Sequence, residues 1–351
     1  MPNLFRWGTN RAIACFSGLL IGSVALPAFA GTATITNTNT STTYSSLQDA
    51  INAATAGDTI EIGSGVVNEQ GVFVSTPVTI RGQGMDSTTI DGEELGSILN
   101  VASTAAGTML EDLTIAHGRL LGPPNAGGLR AQGGTTMIMS RVRFLENTGS
   151  LGGGVMVIGS DQSTTVLYAD SCEFVGNTAG GQGGALAIDL GNGADITLVN
   201  CLFRGNQANS NGGALLVSRT QNKVTTVNCT FAENVSVNTN YIIRAVGGAE
   251  IMMANCVVVD SPGTSIIQGL GASIMMQNTL RAPGVSLANV ADSGGNIIAA
   301  PIFEDAMNGD YRLAPGSAGI DAGDLDAYLA AGSGTFDLEG GFRYLDDPGT
   351  T

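Results

Sequence analysis

Apolar residues recur along the chain in short alternating runs that all end the same way. The runs Met137–Asn147, Leu167–Asn177, Ile196–Asn206, Val224–Asn234 and Ile251–Ser261 fit one template, apolar-x-(mostly apolar)-x-x-C-x-F-x-x-N. The Cys position reads Val142, Cys172, Cys201, Cys229 and Cys256, at spacings of 30, 29, 28 and 27 residues. Two residues on stand Phe144, Phe174, Phe203, Phe231 and Val258, and five on stand Asn147, Asn177, Asn206, Asn234 and Ser261. Leu113 and Ile115 continue the Cys and Phe columns one repeat upstream, and Ile274–Asn278 echoes Ile251–Asn255 downstream. A glycine pair opens a further apolar run after each of four blocks: Gly153-Gly154, Gly183-Gly184, Gly212-Gly213 and Gly247-Gly248.

Alternation sends every second side chain to one face of a strand. A single coil of about 29 residues cannot bury that face alone, so neighbouring coils must stack to complete a core. In register, like residues then sit above one another at the ~4.8 Å strand spacing, where stacked asparagines form a hydrogen-bonded ladder. Gly-Gly supplies corners with positive φ. No coil holds room for a helix, which excludes a leucine-rich repeat, and a sandwich would not keep one column in register for five repeats. The prediction is an all-β chain, a single-stranded right-handed parallel β-helix.

The ends differ from the middle. Ser46-Leu47-Gln48-Asp49 has the form of a capping box, and Leu47, Ile51 and Ala54 share one face of a short N-terminal capping helix. The columns fade after about residue 282, and the turn-rich stretch Gly294–Asp324 is predicted to lie over the last coil. Residues 1–30 carry Arg6 and Arg11, an apolar Ala12–Leu26 and Ala28-Phe29-Ala30, the form of a signal peptide. The predicted organisation is a signal peptide over 1–30, a β-helix over 31–282 whose cap occupies about 31–62, and a C-terminal capping segment over 283–351.

Charge narrows the partners. All 30 carboxylates follow residue 30, and the net charge is −16, so binding to a phosphate backbone is excluded. The remaining expectations are a polysaccharide or cell-surface partner, no transmembrane span after residue 30, and a monomer at the cell surface, on an outer membrane or outside the cell. The four cysteines of the repeat form an even set in an exported chain. In stacked parallel strands, however, their Cβ atoms sit near ~4.8 Å, wider than the ~3.8 Å a disulfide prefers, so they are predicted to be buried free thiols.

The interleaved G-G-A-[ILV] and F-x-x-N marks resemble the polymorphic outer membrane protein type of repeat over about residues 110–282. Gly183–Leu186 and Gly212–Leu215 match the first mark; Phe144–Asn147, Phe174–Asn177, Phe203–Asn206 and Phe231–Asn234 match the second. Leu47–Gly82 looks like the start of a pectin-lyase-like β-helix. The tail (Gly294–Ile297, Pro301–Asp305, Asn308–Leu313, Ile320–Gly323) resembles the module that follows β-helices in bacterial choice-of-anchor surface proteins. That module continues through a D-x-[DE]-G-x-x-R segment, here Asp337–Arg343, into a final strand not found after Asp346-Asp347-Pro348, so the segment reads either as a cap shorter than its relatives or as a fragment. These resemblances imply a pectin-lyase-like solenoid at the cell surface.

Chemistry is sparse. The leading expectation is a non-catalytic, adhesive or glycan-binding protein; the alternative is a polysaccharide lyase or glycoside hydrolase acting on acidic polysaccharides. A lyase needs a base beside a uronate carboxylate, often with calcium. Lys223 and Arg219, with Asp189 and Asp195 one coil earlier, are the weak candidates for it. Asp321, Asp324 and Asp326 have the spacing of a weak calcium site without the full loop motif; no other cofactor is expected. The glycine-pair spacing widens to 35 between Gly212 and Gly247. This marks a candidate ligand loop in which Tyr241 would stack on a sugar and Arg244 would pair with a carboxylate. The single histidine, His117, falls at a corner.

Overall fold

The computed structural model describes residues 32–122, 125–259 and 265–332; residues 1–30, where the sequence predicts a signal peptide, Ser261 and Asp337–Arg343 lie outside them. The chain winds into a right-handed parallel β-helix of about seven coils. One coil shows the plan. Thr165–Asp170 and Glu173–Val175 join the 20-stranded sheet, Thr178–Gln182 the 5-stranded sheet, and Leu186–Leu190 the 9-stranded sheet. Met137, Leu167, Ile196, Val224, Ile251 and Ile274 are successive register partners. So are Phe144, Phe174, Phe203, Phe231 and Val258.

The inward columns form one continuous core. The four Phe rings are fully buried and stack with centroids 5.2, 4.6 and 4.7 Å apart. Burying each such side chain contributes ~1.5–3 kcal/mol. Beside them runs the asparagine ladder. Asn177 Nδ2 donates to Asn206 Oδ1 (3.0 Å) and to the Phe144 carbonyl (2.9 Å), while Asn177 Oδ1 accepts the Asn147 main-chain N–H at 3.1 Å. Asn147 and Asn206 repeat the pattern, so these buried amides meet their hydrogen-bonding needs through the next coil. Cys172, Cys201, Cys229 and Cys256 are buried and unpaired. Burial pushes the Cys201 and Cys256 thiols up, and Cys201 Sγ donates to the Val199 carbonyl at 3.2 Å.

The glycine corners divide their labour. Gly183 and Gly212 have φ near 67°, whereas a Cβ on Gly184 or Gly213 would lie 2.1 or 2.5 Å from a backbone oxygen. Position one needs conformational freedom and position two needs space. In the next coil Asn240 (φ 63°) and Tyr241 take these positions.

At the N-terminal end, helix α1 (Leu47–Ala53) buries Leu47, Ala50 and Ile51, and its C-cap Ala54, partly buried, packs against the same core. Ser46 Oγ accepts the Asp49 N–H (3.0 Å), and the Glu69 carboxylate accepts those of Leu47 and Gln48 (2.7 and 2.8 Å). Ile35–Asn37 pairs antiparallel with Thr42–Tyr44 and with Thr59–Ile62, closing the first edge.

At the other end Ala291–Asp292 and Ile297–Ile298 add a last rung. Charge enters the inward columns there. Met253 and Met276 are followed by Asp292, and the Phe column runs through Val258 and Arg281 to Ile298, which is 59% exposed on the last rung. Of the stretch Gly294–Asp324, the start does lie over the coil that ends near residue 282, with Ile297–Ile298 paired on Leu280–Arg281, but the rest leaves the axis. It forms the hairpin of Phe303–Asp305 with Asp310–Leu313 and helix α2 (Leu325–Ala330), and returns along the flank. Tyr328 packs on Val199, Val227 and Ala254, and Tyr168 Oη donates to the Gly332 carbonyl (3.2 Å). The physical reason lies in the outward column Ser140, Asp170, Val199, Val227, Ala254 and Gln277. Its apolar middle needs a cover that its polar ends do not.

Candidate functional site

The returning tail makes one wall of a groove of about 880 Å³ that crosses successive coils. Its floor is an outward column of register partners: Arg143, Glu173, Leu202, Thr230, Val257 and Leu280. Its rim carries Asn200, Asn228, Asn255 and Asn278, all at left-handed corners with φ from 44° to 56°. Asn tolerates that conformation better than most residues, and its amide then projects at each rung. The wall is Asn308–Leu313 with Gly319, Ala322 and Gly323.

Charge gathers at one end. Arg143, only 11% exposed, donates through Nε to Glu173 and through Nη1 to Asp86, both at 2.6 Å. Burial opposes its charge, but these two carboxylates outweigh it and raise its pKa. Arg204 pairs with Glu233 (3.4 Å), and its guanidinium lies 5.6 Å from the Tyr311 ring. Burial pushes the Tyr311 phenol up, and its Oη is buried without a hydrogen-bond partner.

The residues singled out from sequence lie elsewhere. Asp195 and Lys223 are register partners, but Lys223 Nζ approaches Glu250 Oε2 at 3.4 Å, with both side chains 55% exposed. Arg219 Nε donates to the Asp189 main-chain carbonyl, while the Asp189 carboxylate accepts from Ser218 Oγ. The four do not converge, and none lines the groove. Tyr241 and Arg244 are not in a loop. They belong to the strand Tyr241–Val246, paired in register with Leu215–Ser218. The widened glycine spacing arose because Asn240 replaces the corner glycine, and Gly247-Gly248 forms a different corner. Arg244 lies 4.5 Å over the Tyr241 ring and donates to Asn211 Oδ1.

Asp324 caps α2 by accepting the Asp326 N–H (2.9 Å), and its other oxygen accepts from Gln277 (3.0 Å). Its main chain exchanges two hydrogen bonds with the Asn255 amide, at 2.7 and 2.8 Å. Asp324 thus clamps the tail to the rim, and among the described residues no three His, Cys, Asp or Glu gather as metal ligands. His117 Nδ1 lies 2.9 Å from Asp91 and Nε2 3.8 Å from Glu146.

Sequence reasoning missed the groove because it followed the inward columns. Reading the residue after each Cys would have exposed Arg143 over Glu173, opposite charges at one repeat position. The contribution of Tyr311 had no sequence signal, since it depends on the path of the tail.

The Chlamydia polymorphic membrane protein (Chlamydia_PMP) repeat matches residues 171–189 and 200–218. No curated protein is significantly similar in sequence. Among solved structures, the chain is similar to the pectin methylesterase from Yersinia enterocolitica, at 15% identity and a TM-score of 0.39, over 82% of this chain and 99% of that one. It is also similar to the tailspike protein gp49 from Acinetobacter baumannii bacteriophage Fri1, a capsular polysaccharide depolymerase, at 12% identity and a TM-score of 0.38, over 73% and 58% of the two chains. The pectin methylesterase from Aspergillus niger matches at 15% identity and a TM-score of 0.34, over 86% and 99%. Similarity at this level carries no information about activity. Among the described residues no helix is long and apolar enough to cross a membrane.

Proposed function

We propose that the chain is an exported, surface-associated β-helix protein that binds an extended glycan along the lateral groove without cleaving it. The observation that carries this reading is the construction of the groove. Its floor and rim come from the same positions of successive coils, so the rim asparagines recur at the strand spacing of ~4.8 Å beside a floor that runs from Arg143 and Glu173 through Thr230 to Val257 and Leu280. A site built by repetition suits a ligand that is itself a repeating chain. The polymorphic membrane protein repeat supports a surface location, and residues 1–30 support export.

A glycan array and a panel of acidic polysaccharides, with absorbance for unsaturated chain ends as the readout of cleavage, test the proposal. Binding without new ends is the expected result, lost in Thr230→Trp, which fills the groove. Binding that survives this substitution would contradict the groove. Cleavage abolished by Lys223→Ala or Arg219→Ala would replace the proposal with the lyase alternative.

A further inference from the structure

Away from the groove, the 9-stranded sheet carries a second outward column that begins Phe73, Asn100 and Arg130 as register partners. These three line a cavity of about 290 Å³ together with Gln70, Asn125 and Leu120. Arg130 is the anomaly. Every other described arginine makes an ion pair or a hydrogen bond. Arg130 makes neither, and its Nε is buried without a partner. In a chain of net charge −16, no carboxylate among the described residues lines this cavity. Burial opposes the guanidinium charge, with nothing offsetting it.

A buried donor of this kind costs free energy until something accepts from it, and a guanidinium's planar fork matches a carboxylate. The rest of the column specifies what carries that carboxylate. Phe73 is 43% exposed and offers an apolar surface two rungs away. Asn100, between them, accepts from Gln132 through Oδ1 (3.0 Å) and keeps its Nδ2 for a ligand. An aromatic surface, an amide donor and a cation in sequence match a pyranose ring, its hydroxyls and an acid group.

We propose that this cavity binds an acidic sugar unit, with its carboxylate on Arg130, a hydroxyl on Asn100 and its ring against Phe73. The site is separate from the groove, and the proposal does not rest on the groove's function. Calorimetric titration of the folded protein with glucuronate, glucose and a glutamate-containing peptide tests it. Glucuronate should bind at least about tenfold more tightly than glucose, the ratio that one hydrogen-bonded charge pair supplies. Arg130→Gln should remove that preference, and Phe73→Ala should weaken glucuronate while keeping the preference. Thr230→Trp should leave both unchanged. Equal affinity for glucose and glucuronate would overturn the proposal, as would peptide binding as tight as the sugar's. Unaltered protection of the buried thiols in Arg130→Gln would verify that the variant is folded, and Arg130→Lys, which keeps charge but loses the fork, gives a second, intermediate point.

Discussion

The N-terminal end of the solenoid is closed by added structure. Helix α1 and an antiparallel pair lie across the first rung, and Glu69 ties the helix down through two main-chain hydrogen bonds. The C-terminal end is closed by substitution. Charge enters two inward columns, so that Arg281 follows Val258 and Asp292 follows Met276, and Ile298 follows Arg281 on the last rung. Arg281 donates to the Val285 carbonyl (2.7 Å), and Asp292 accepts from Gly294 and Asn296 (2.9 and 2.6 Å). One end hides an apolar rung, and the other places charged groups beside an apolar residue that it leaves exposed, Ile298. Inward charge is an established guard against edge-to-edge pairing, and it needs no extra segment, which leaves the tail free to build the groove wall.

The middle of the stack sets the scale for testing this contrast. Phe203→Ala removes one ring from a fully buried column and should destabilise the fold by about 3–5 kcal/mol in urea melts. A variant as stable as its parent would mean that the stack is not the spine to which the ends are attached. Leu47→Ala, under the helix, should cost about 2–5 kcal/mol and expose the first rung. A loss within the ordinary surface range of about 0.5 kcal/mol would make the helix an ornament. At the far end, Arg281→Leu combined with Asp292→Val should change stability by less than about 1 kcal/mol yet produce concentration-dependent association. Sedimentation that still reports only monomer would refute the guarding role.

The smallest effect concerns the N-terminal coils. The hydrogen bond to Asp91 raises the pKa of His117 above its ordinary 6.5, against the effect of burial. Its contribution to stability is therefore complete below pH 6.5 and is lost as pH rises through the raised value. Burial pushes the Asp91 carboxyl up, but hydrogen bonds from His117 and the Glu93 N–H more than reverse this, so its pKa falls below 3.8. The share from Asp91 is thus present above about pH 3.8 and lost as pH falls through the lowered value. The partly exposed pair should be worth less than ~1 kcal/mol. Melts from pH 5 to 8 should show a shallow decline that His117→Gln flattens; an unchanged slope would remove the pair from the account.

The fold was legible because its information is repeated. Cys172, Cys201, Cys229 and Cys256, with their Phe and Asn partners, state the register several times over, and errors in one coil are corrected by the next. Where a coil departs from its neighbours the same logic misled, as when Asn240 stood in for glycine and made a strand look like a loop. The groove was half legible. Arg143 and Glu173 occupy one repeat position, but Tyr311 meets Arg204 only because Val199, Val227 and Ala254 draw the tail across the flank, and that meeting leaves no periodic trace.

That return path also changes how the molecule would come apart. In a solenoid each coil grips only its neighbours, so the chain can be peeled from either tip. Here the contact of Tyr168 with Gly332 joins residues 164 apart in sequence, and the coils between them sit inside a closed loop. Peeling from the C-terminal tip must first tear the tail from the flank, where Tyr328, Asp324 and Asn255 share the pull. The tail behaves as a seam stitched across a coil of rope. During synthesis the coils can stack in the order they emerge, and the seam is sewn last.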